Sequence, residues 1–234
     1  MGDEADHGRF AAAIWGATGA VGSEVLQRCL QDKRVREVRA FTRRSLSLKH
    51  PRLREVQVDD FLDLSPLREE LRGIDVAYWC LGVSQSTVPD EGNYRKITQD
   101  YTLAGARTLL QESPDAEFHF VSGMGADRTG RSRMMWARIK GETEASLHAL
   151  GMRRLVIWRP GVIRVPGGRT APSTAERLAA LLYPLLRLLP NMTNTTVQIS
   201  QAMLAETQTP GPGATFSARD INRLARNNRA LHRT

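Results

Sequence analysis

Three glycines near the start of the chain lie between an apolar strand and a helix, a context typical of a loop that binds phosphate. Gly16, Gly19 and Gly22 lie between an apolar run at 10–15 and a helical pattern that restarts at 23–26. In such a strand–loop–helix unit, glycines allow a sharp turn, close approach of backbone to a diphosphate, and tight packing of helix on strand. The spacing G-x-x-G-x-x-G departs from the usual G-x-G-x-x-G, and a purely structural turn is the alternative.

A helix N-terminus at this loop offers free amide hydrogens and partial positive charge to an anion. We therefore predict a dinucleotide site. The loop residues expected to contact the cofactor are Gly16, Thr18, Gly19, Ala20 and Val21.

Two arginines, Arg43 and Arg44, follow the second predicted strand, 35–42. In dinucleotide-binding folds a carboxylate at this point holds the ribose 2′-hydroxyl, whereas arginine accommodates a 2′-phosphate. Because the guanidinium fork suits phosphate and a carboxylate would repel it, the pair predicts NADP(H) in preference to NAD(H). The alternative is a solvated basic turn.

Asp60 and Phe61 come where the third predicted strand, 53–58, ends. We expect this acid and ring to flank an adenine. The alternative is that Phe61 belongs to the ordinary core.

Apolar strands alternate with helical segments along most of the chain. The predicted strands are 9–15, 35–42, 53–58, 75–81, 118–121 and 154–158, and the predicted helices are 21–31, 65–71, 93–112 and 132–150. This alternation predicts an α/β fold with a Rossmann-type, doubly wound parallel sheet. In that architecture ligands bind at the carboxyl ends of the strands.

One domain is expected over 9–226, between a disordered N-terminus at 1–8 and a basic tail at 227–234. Within it, the segment 162–213 contains Pro and Gly clusters, a bent apolar helix at 174–189 and a helix at 197–207. We interpret this segment as a small C-terminal lid that covers the substrate. A last edge strand is expected at 214–216.

The composition is that of a soluble protein, with 41% hydrophobic and 25% charged residues. No apolar run is long enough to span a membrane. The two cysteines offer neither a metal-binding spacing nor a disulfide framework, so we expect a cytoplasmic protein without a metal. The net charge of +8 is spread along the chain. It favours solvated surfaces over a nucleic-acid partner, whose binding would be salt-sensitive and lost with residues 219–234.

Several segments together resemble the short-chain dehydrogenase/reductase superfamily, and more narrowly its atypical NAD(P)-binding branch, which includes the TIP30-like oxidoreductases. The motifs that carry the resemblance are the glycine loop, Cys80-Leu81-Gly82, Ser122, Lys140 and Arg159-Pro160-Gly161. The segments 94–101, 121–127 and 139–142 are similar to that branch in particular. The resemblance implies further cofactor contacts at Cys80, Leu81, Gly82, Lys140, Pro160, Gly161 and Val162.

In the superfamily a tyrosine transfers the proton while hydride moves, a lysine four positions later binds the nicotinamide ribose, and a serine holds the substrate oxygen. Lys140 and Ser122 match the lysine and the serine. Trp136 stands in place of the tyrosine, and Thr98 in place of an asparagine. An indole N–H is only a hydrogen-bond donor, so Trp136 is excluded as the general acid.

Three explanations of this departure stay open. Tyr94, Tyr101 or Asp127 donates the proton, water or the substrate supplies it, or NADP(H) binds without turnover. Two functions follow: an NADP(H)-dependent oxidoreductase that acts on a small carbonyl or alkene, and a non-catalytic NADP(H)-binding redox sensor or interaction protein. A homodimer that pairs the helices from Asn93 and Ser132 is compatible with the sequence.

Overall fold

A seven-stranded sheet forms the centre of the structure, a computed structural model that describes residues 9–166 and 192–231. Its strands are β1 Phe10–Trp15, β2 Val35–Thr42, β3 Leu53–Gln57, β4 Val76–Trp79, β5 Glu117–Val121, β6 Arg154–Arg159 and β9 Thr215–Ser217. They run parallel in the order β3-β2-β1-β4-β5-β6-β9. The prediction of a Rossmann-type doubly wound sheet is confirmed, and the strand order reverses between β1 and β4.

Helices cover both faces of the sheet. They are α1 Ala20–Gln31, α2 Glu91–Arg95, α3 Tyr101–Glu112, α4 Met135–Ala149, α5 Thr196–Glu206 and α6 Ala218–Leu231. A π-helical turn, Lys96–Asp100, joins α2 to α3. A separate two-stranded parallel sheet pairs β7 Val162–Arg164 with β8 Thr193–Thr195.

Strand β1 separates the two layers of the core. Its even-numbered residues pack with apolar side chains of α1 and α5, such as Val25 and Met203. Its odd-numbered residues pack with side chains of α3 and α4, such as Leu109 and Leu147. Because β1 is buried on both faces, its sequence is a continuous apolar run rather than an alternating one.

Aromatic rings fill the core beneath the carboxyl ends of the central strands. Trp15, the last residue of β1, stacks on Phe41 with ring centroids 4.5 Å apart and on Trp79 at 5.0 Å. All three side chains are fully buried. This stack gives the loops after β1, β2 and β4 a rigid base.

The predicted helices 65–71 and 132–150 differ from the structure in type and in starting residue, respectively. The expected helix 65–71 forms two 3-10 turns, Ser65–Leu67 and Glu69–Leu71, because so short a segment gains little from helix propagation. The helix expected at 132–150 begins only at Met135. The carboxylate of Asp127 accepts hydrogen bonds from the amides of Thr129, Arg131 and Ser132, which holds these residues in a loop.

The segment predicted as a lid is only partly covered by the structure. Residues 167–191, including the expected bent helix at 174–189, lie outside the described residues, as do 1–8 and 232–234. Helix α5 lies within the predicted lid, yet its Ile199, Ala202 and Met203 are fully buried in the core beside α1. Helix α5 is thus part of the core, and the prediction of a substrate-covering lid is restricted to the other residues of 162–213.

The basic C-terminal residues begin as part of a helix. Helix α6 continues past 226 to Leu231, so residues 227–231 extend it rather than form a separate tail. Ala218, Ile221 and Ala225 are apolar residues of this helix that are buried, and Arg223 pairs with Asp220 at 3.0 Å. No helix within 9–166 or 192–231 is long and apolar enough to cross a membrane. Over the same ranges, no three His, Cys, Asp or Glu side chains are grouped to hold a metal ion.

His119 is a fully buried histidine on β5. Its Nε2 lies 3.1 Å from Oε2 of Glu117, and its Nδ1 accepts a hydrogen bond from the indole N–H of Trp158 at 3.4 Å. Burial disfavours the charged imidazolium and lowers the pKa of His119, and Glu117 opposes the shift.

We predict that this histidine makes stability fall in mild acid. The unfolded chain protonates it near pH 6.5 while the folded protein resists, so the free energy of unfolding decreases as pH falls through about 6.5, by up to about 1.4 kcal/mol per pH unit. Urea denaturation from pH 8 to 5 measures the slope. His119→Gln is expected to reduce this slope, and the part that remains is expected from His148, whose pKa burial also lowers. Equal slopes in His119→Gln and the unmodified protein would contradict the prediction.

Candidate functional site

The glycine loop makes close backbone contacts at the point where the strand order reverses. Gly16 has φ +77°, and a Cβ there would lie 2.7 Å from the amide nitrogen of Leu81. A Cβ on Gly22 would lie 2.1 Å from the carbonyl oxygen of Gly16. The first glycine thus lets the loop pass beside the end of β4, and the last lets α1 pack on the loop.

The N-terminus of α1 is open toward the loop. Gly19 is its N-cap residue, has no side chain to cap the helix, and leaves the first-turn amides without intrahelical partners. Thr18, Gly19 and Ala20 are exposed, whereas the Val21 side chain is buried in the core. An anion at this end of α1 would thus meet backbone amides and Thr18 rather than the side chain of Val21.

Arg43 and Arg44 emerge from the end of β2 with exposed side chains. The hydroxyl of Thr42 donates to the carbonyl oxygen of Arg44 at 2.8 Å and thereby fixes the turn. The guanidinium carbon of Arg43 lies 5.9 Å from the ring centroid of Phe61. Two cationic groups therefore stand at the edge of the glycine-loop crevice.

Phe61 is only 3% exposed and packs in the core, so its ring is covered rather than presented to an adenine. The alternative expected for it, an ordinary core residue, is what the structure shows. Asp60 is exposed, and one of its carboxylate oxygens accepts the amide of Leu62 at 2.8 Å.

Residues after β4 and β6 line the same edge of the sheet. The amide of Cys80 donates to the carbonyl oxygen of Trp15 at 3.0 Å, and burial raises the pKa of its thiol to about 12, which disfavours the thiolate. Gly82 faces open space. Gly161 instead meets the chain at Met192, where a Cβ would lie 2.0 Å from a carbonyl oxygen. Close packing of β7 and β8 is thus enough to require glycine there.

Pro160 and Val162 take part in the backbone contacts around Gly161. The carbonyl of Pro160 accepts the amide of Met124 at 2.8 Å, and the amide of Val162 donates to Met192 at 2.8 Å. The loops after β5 and β6 are therefore joined at the candidate site.

Ser122 takes part in a buried ionic cluster. Its hydroxyl donates to Oε1 of Glu144 at 2.6 Å, and both residues are buried. Arg159 donates to the same carboxylate through Nε at 2.9 Å, and Arg128 through Nε at 2.7 Å. Burial opposes ionisation of Glu144, but the hydrogen bonds from Arg159, Ser122 and Arg128 outweigh it and lower its pKa.

The single proton of the Ser122 hydroxyl is therefore engaged with Glu144. The next residue, Gly123, projects toward the predicted catalytic helix: a Cβ there would lie 3.5 Å from the Trp136 ring and 3.8 Å from Cδ of Lys140. Position 123, rather than 122, faces these two side chains, and it carries no hydroxyl. Sequence reasoning missed this because it could not tell which side of the strand end each residue faces.

Lys140 and Trp136 lie together on α4, one turn apart and both half-buried. The ammonium of Lys140 donates to the carbonyl of Val121 at 3.1 Å and lies 5.4 Å from the centroid of Phe120. Burial lowers the pKa of Lys140 to about 8, and Glu144 opposes the shift. The indole of Trp136 packs against Gly123 and Gly125.

The other proton donors considered from the sequence are engaged elsewhere. Tyr94 is 1% exposed, and burial raises its pKa. Tyr101 packs its ring against Phe61, with centroids 5.4 Å apart. The pKa of Asp127 is lowered by hydrogen bonds from the following loop, and those from Thr129 have the largest effect. Thr98 lies in the π-helical turn and is buried, 2% exposed.

Sequence reasoning also missed Glu144 and its partner Arg128. The available signal was the position of Glu144, four residues after Lys140, which places a carboxylate one turn further along the same helix. Its partners come from separate loops, so only the fold brings them together.

The glycine loop, the open helix terminus and Lys140 fit a nicotinamide dinucleotide. A family model described as NAD(P)H-binding matches residues 16–152, more than half of the chain. The chain belongs to this NAD(P)H-binding family. The resemblance to the atypical short-chain dehydrogenase/reductases is supported by this match and by the relatives and solved structures described next.

Relatives and structural neighbours agree with this assignment. Protein HTATIP2 of Rattus norvegicus is 28% identical over 204 residues, which cover 86% of this chain and 82% of that protein. Protein FMP52, mitochondrial, of Eremothecium gossypii is 28% identical over 155 residues, 65% of this chain and 66% of that protein.

Two solved structures have a similar fold. The chain superposes on a Burkholderia cenocepacia short chain dehydrogenase in complex with NADP, with TM-score 0.62, 16% identity and 96% of each chain covered. The Bordetella bronchiseptica enzyme WbmF in complex with NAD+ gives TM-score 0.67 and 15% identity, covering 95% of this chain and 78% of that one. At these identities the likeness concerns the fold alone.

We predict that Glu144→Gln strongly destabilises the protein. The variant weakens three charge-assisted hydrogen bonds to a buried group, but Arg128 and Arg159 are 37% and 27% exposed, so solvent screens the charges left behind and the cost is on the order of 2 kcal/mol. Glu142→Gln on the same helix is the matched control: its pair with Arg95 is partly exposed, and a loss of at most about 1 kcal/mol is expected. Urea denaturation measures both. Equal losses would contradict the special role of the buried cluster.

Proposed function

We propose that the protein is an NADP(H)-dependent oxidoreductase that reduces a small carbonyl compound or an alkene. The observation that carries the proposal is the packing of the glycine loop at the switch point of the sheet. There, close packing at Gly16 and Gly22 leaves the open N-terminus of α1 beside exposed backbone at 18–20. The diphosphate of the cofactor would bind to these amides.

The preference for the 2′-phosphorylated cofactor rests on Arg43 and Arg44. Both guanidinium groups are exposed at the end of β2, where a dinucleotide presents the adenine ribose. The guanidinium group of Arg43 lies over the ring of Phe61, and we propose that an adenine stacks on this guanidinium group. Asp60 follows the end of β3, beside β2, and we propose that it also lines the site of the adenine half of the cofactor.

The nicotinamide half of the cofactor would lie toward Lys140, along the segments after β4 and β6. Lys140 would hold the ribose hydroxyls with its ammonium group. NADPH supplies hydride when it is bound. Ser122 can bind a substrate oxygen only if its hydroxyl leaves Glu144, so we assign it first to keeping that carboxylate in place.

A second function is favoured by Trp136. Its indole packs on Gly123 and Gly125, in the position where the superfamily has its tyrosine. A protein that binds NADP(H) in this way without turnover would act as a redox sensor or interaction protein. Single-turnover oxidation of bound NADPH by a panel of aldehydes, ketones, quinones and activated alkenes separates the two. Oxidation by any of them supports the enzyme, and none at all supports the sensor.

We also propose a cytoplasmic location and leave a homodimer open. The fungal relatives named mitochondrial make fractionation of cells that express the full chain the direct test of location. Recovery with mitochondria would overturn the cytoplasmic proposal. Sedimentation equilibrium decides whether two copies associate.

We predict that NADPH protects the protein against thermal unfolding more than NADH does. A ligand at about 100 times its Kd adds roughly 2.7 kcal/mol of stability. Replacing Arg43 and Arg44 together with alanine is expected to remove the difference between the nucleotides, since the 2′-phosphate then loses its charge partners.

The matched control is Arg153→Ala, an exposed arginine before β6 at the opposite edge of the sheet. It should keep the preference for NADPH. No shift with either nucleotide at millimolar concentration would contradict the cofactor site, and an unchanged preference in the double variant would contradict the role of the two arginines.

A further inference from the structure

Reduction of a carbonyl group needs a proton for the oxygen as well as a hydride for the carbon. Trp136 cannot give this proton, Tyr94 is buried, and Asp127 is bound by the amides of its own loop. Tyr101 packs against Phe61, which follows β3, whereas Gly123 follows β5. The remaining titratable side chain beside Gly123, among the residues that the structure describes, is Lys140. We propose that Lys140 is itself the catalytic acid of the reaction and protonates the substrate oxygen, an inference that rests on the proposed reductase function.

The position of Lys140 suits this role. Its helix crosses the end of β5, and its ammonium donates one hydrogen bond, to the carbonyl of Val121 at 3.1 Å. An ammonium has three N–H groups, so two stay available for a ribose hydroxyl and a substrate oxygen. A Cβ on residue 123 would lie 3.8 Å from Cδ of Lys140. Because this residue is glycine, no side chain at position 123 covers the side chain of Lys140.

The surroundings of Lys140 let it lose a proton readily. The ammonium nitrogen lies 5.4 Å from the centroid of the Phe120 ring, and burial lowers the pKa of the ammonium to about 8. The one nearby carboxylate that opposes this shift is Glu144, whose charge is already shared with Arg128 and Arg159. Of the other elements packed on α4, the segment around Arg95 brings a cation that pairs with Glu142, and β5 brings the uncharged Phe120 and Val121.

The proposed step balances as an ordinary carbonyl reduction. The carbonyl carbon accepts a hydride from the reduced nicotinamide, the π-electron pair of C=O moves to oxygen, and that oxygen takes a proton from Nζ of Lys140. The carbonyl is reduced to an alcohol and the nicotinamide is oxidised. The neutral amine left on Lys140 regains its proton from water.

The sign of the pH dependence follows from the protonated form being the active one. The rate constant for carbonyl reduction is expected to be level below pH 8 and to fall as pH rises through about 8. Oxidation of the alcohol needs the neutral amine, so its rate constant should rise over the same range.

The test is single-turnover oxidation of NADPH by a carbonyl panel, with the full chain, from pH 6 to 10. Lys140→Arg keeps a positive charge for the ribose but holds its proton too tightly to give it, so we expect NADPH affinity within about threefold of the unmodified protein and a rate at least about 100-fold lower. Lys33→Arg, an exposed lysine before β2, should change neither quantity.

A second measurement needs neither a variant nor turnover. The rate of acetylation of Lys140 in the nucleotide-free protein, followed by peptide mass spectrometry against pH, reports the neutral amine directly. A half-maximum near pH 8 is expected. A half-maximum at or above pH 10 would overturn the proposal, even if Lys140→Arg fails to fold.

The outcomes separate this inference from the proposed function. If the unmodified protein oxidises NADPH and Lys140→Arg does so at the same rate and with the same pH profile, Lys140 is not the acid, and the reductase function stands. If the unmodified protein binds NADPH but oxidises none with any carbonyl at any pH, the reductase function fails and the acid role fails with it.

Discussion

The site depends on how closely three stretches of backbone approach one another at the switch point of the sheet. The glycine loop after β1 passes the end of β4 at Gly16, and α1 packs on that loop at Gly22, where any side chain would overlap a carbonyl oxygen. Without these two contacts the N-terminus of α1 would stand away from the strands, and its free amides would not face the crevice. The aromatic stack around Trp15 supports the loop from below.

A second constraint holds the other half of the site. The carboxylate of Glu144 is fully buried and bound by Ser122, Arg128 and Arg159, which come from the end of β5, the following loop and the end of β6. A buried charge keeps such partners because leaving it unpaired is costly. This cluster fixes the direction in which α4 crosses the sheet, and with it the place of Lys140.

The fold was largely readable from the sequence, because strands buried on both faces and glycine-punctuated turns leave local signals. Strand β2 has the predicted bounds 35–42, and the parallel edge strand near 215 was predicted within one residue at each end. The start of α4 was wrong by three residues, since Asp127 holds the preceding loop through hydrogen bonds that no helical pattern shows.

Only those parts of the candidate site that consist of a single continuous segment were predictable from the sequence. The glycine loop and the two arginines are local motifs, and the structure places both at the expected edge. The orientation of neighbouring side chains was not predictable: Ser122 turns inward to Glu144, while Gly123 faces Trp136 and Lys140. Partners separated along the chain, such as Glu144 and Arg159, meet only through the fold.

The central claim is that the cofactor binds across this crevice, from the two arginines to Lys140. A crystal structure of the full chain with NADPH measures it most directly. The account predicts the diphosphate on the first-turn amides of α1, the 2′-phosphate beside Arg43 and Arg44, and a ribose hydroxyl within hydrogen-bond distance of the Lys140 ammonium. Nucleotide bound elsewhere, or with its nicotinamide ribose away from Lys140, would contradict the account.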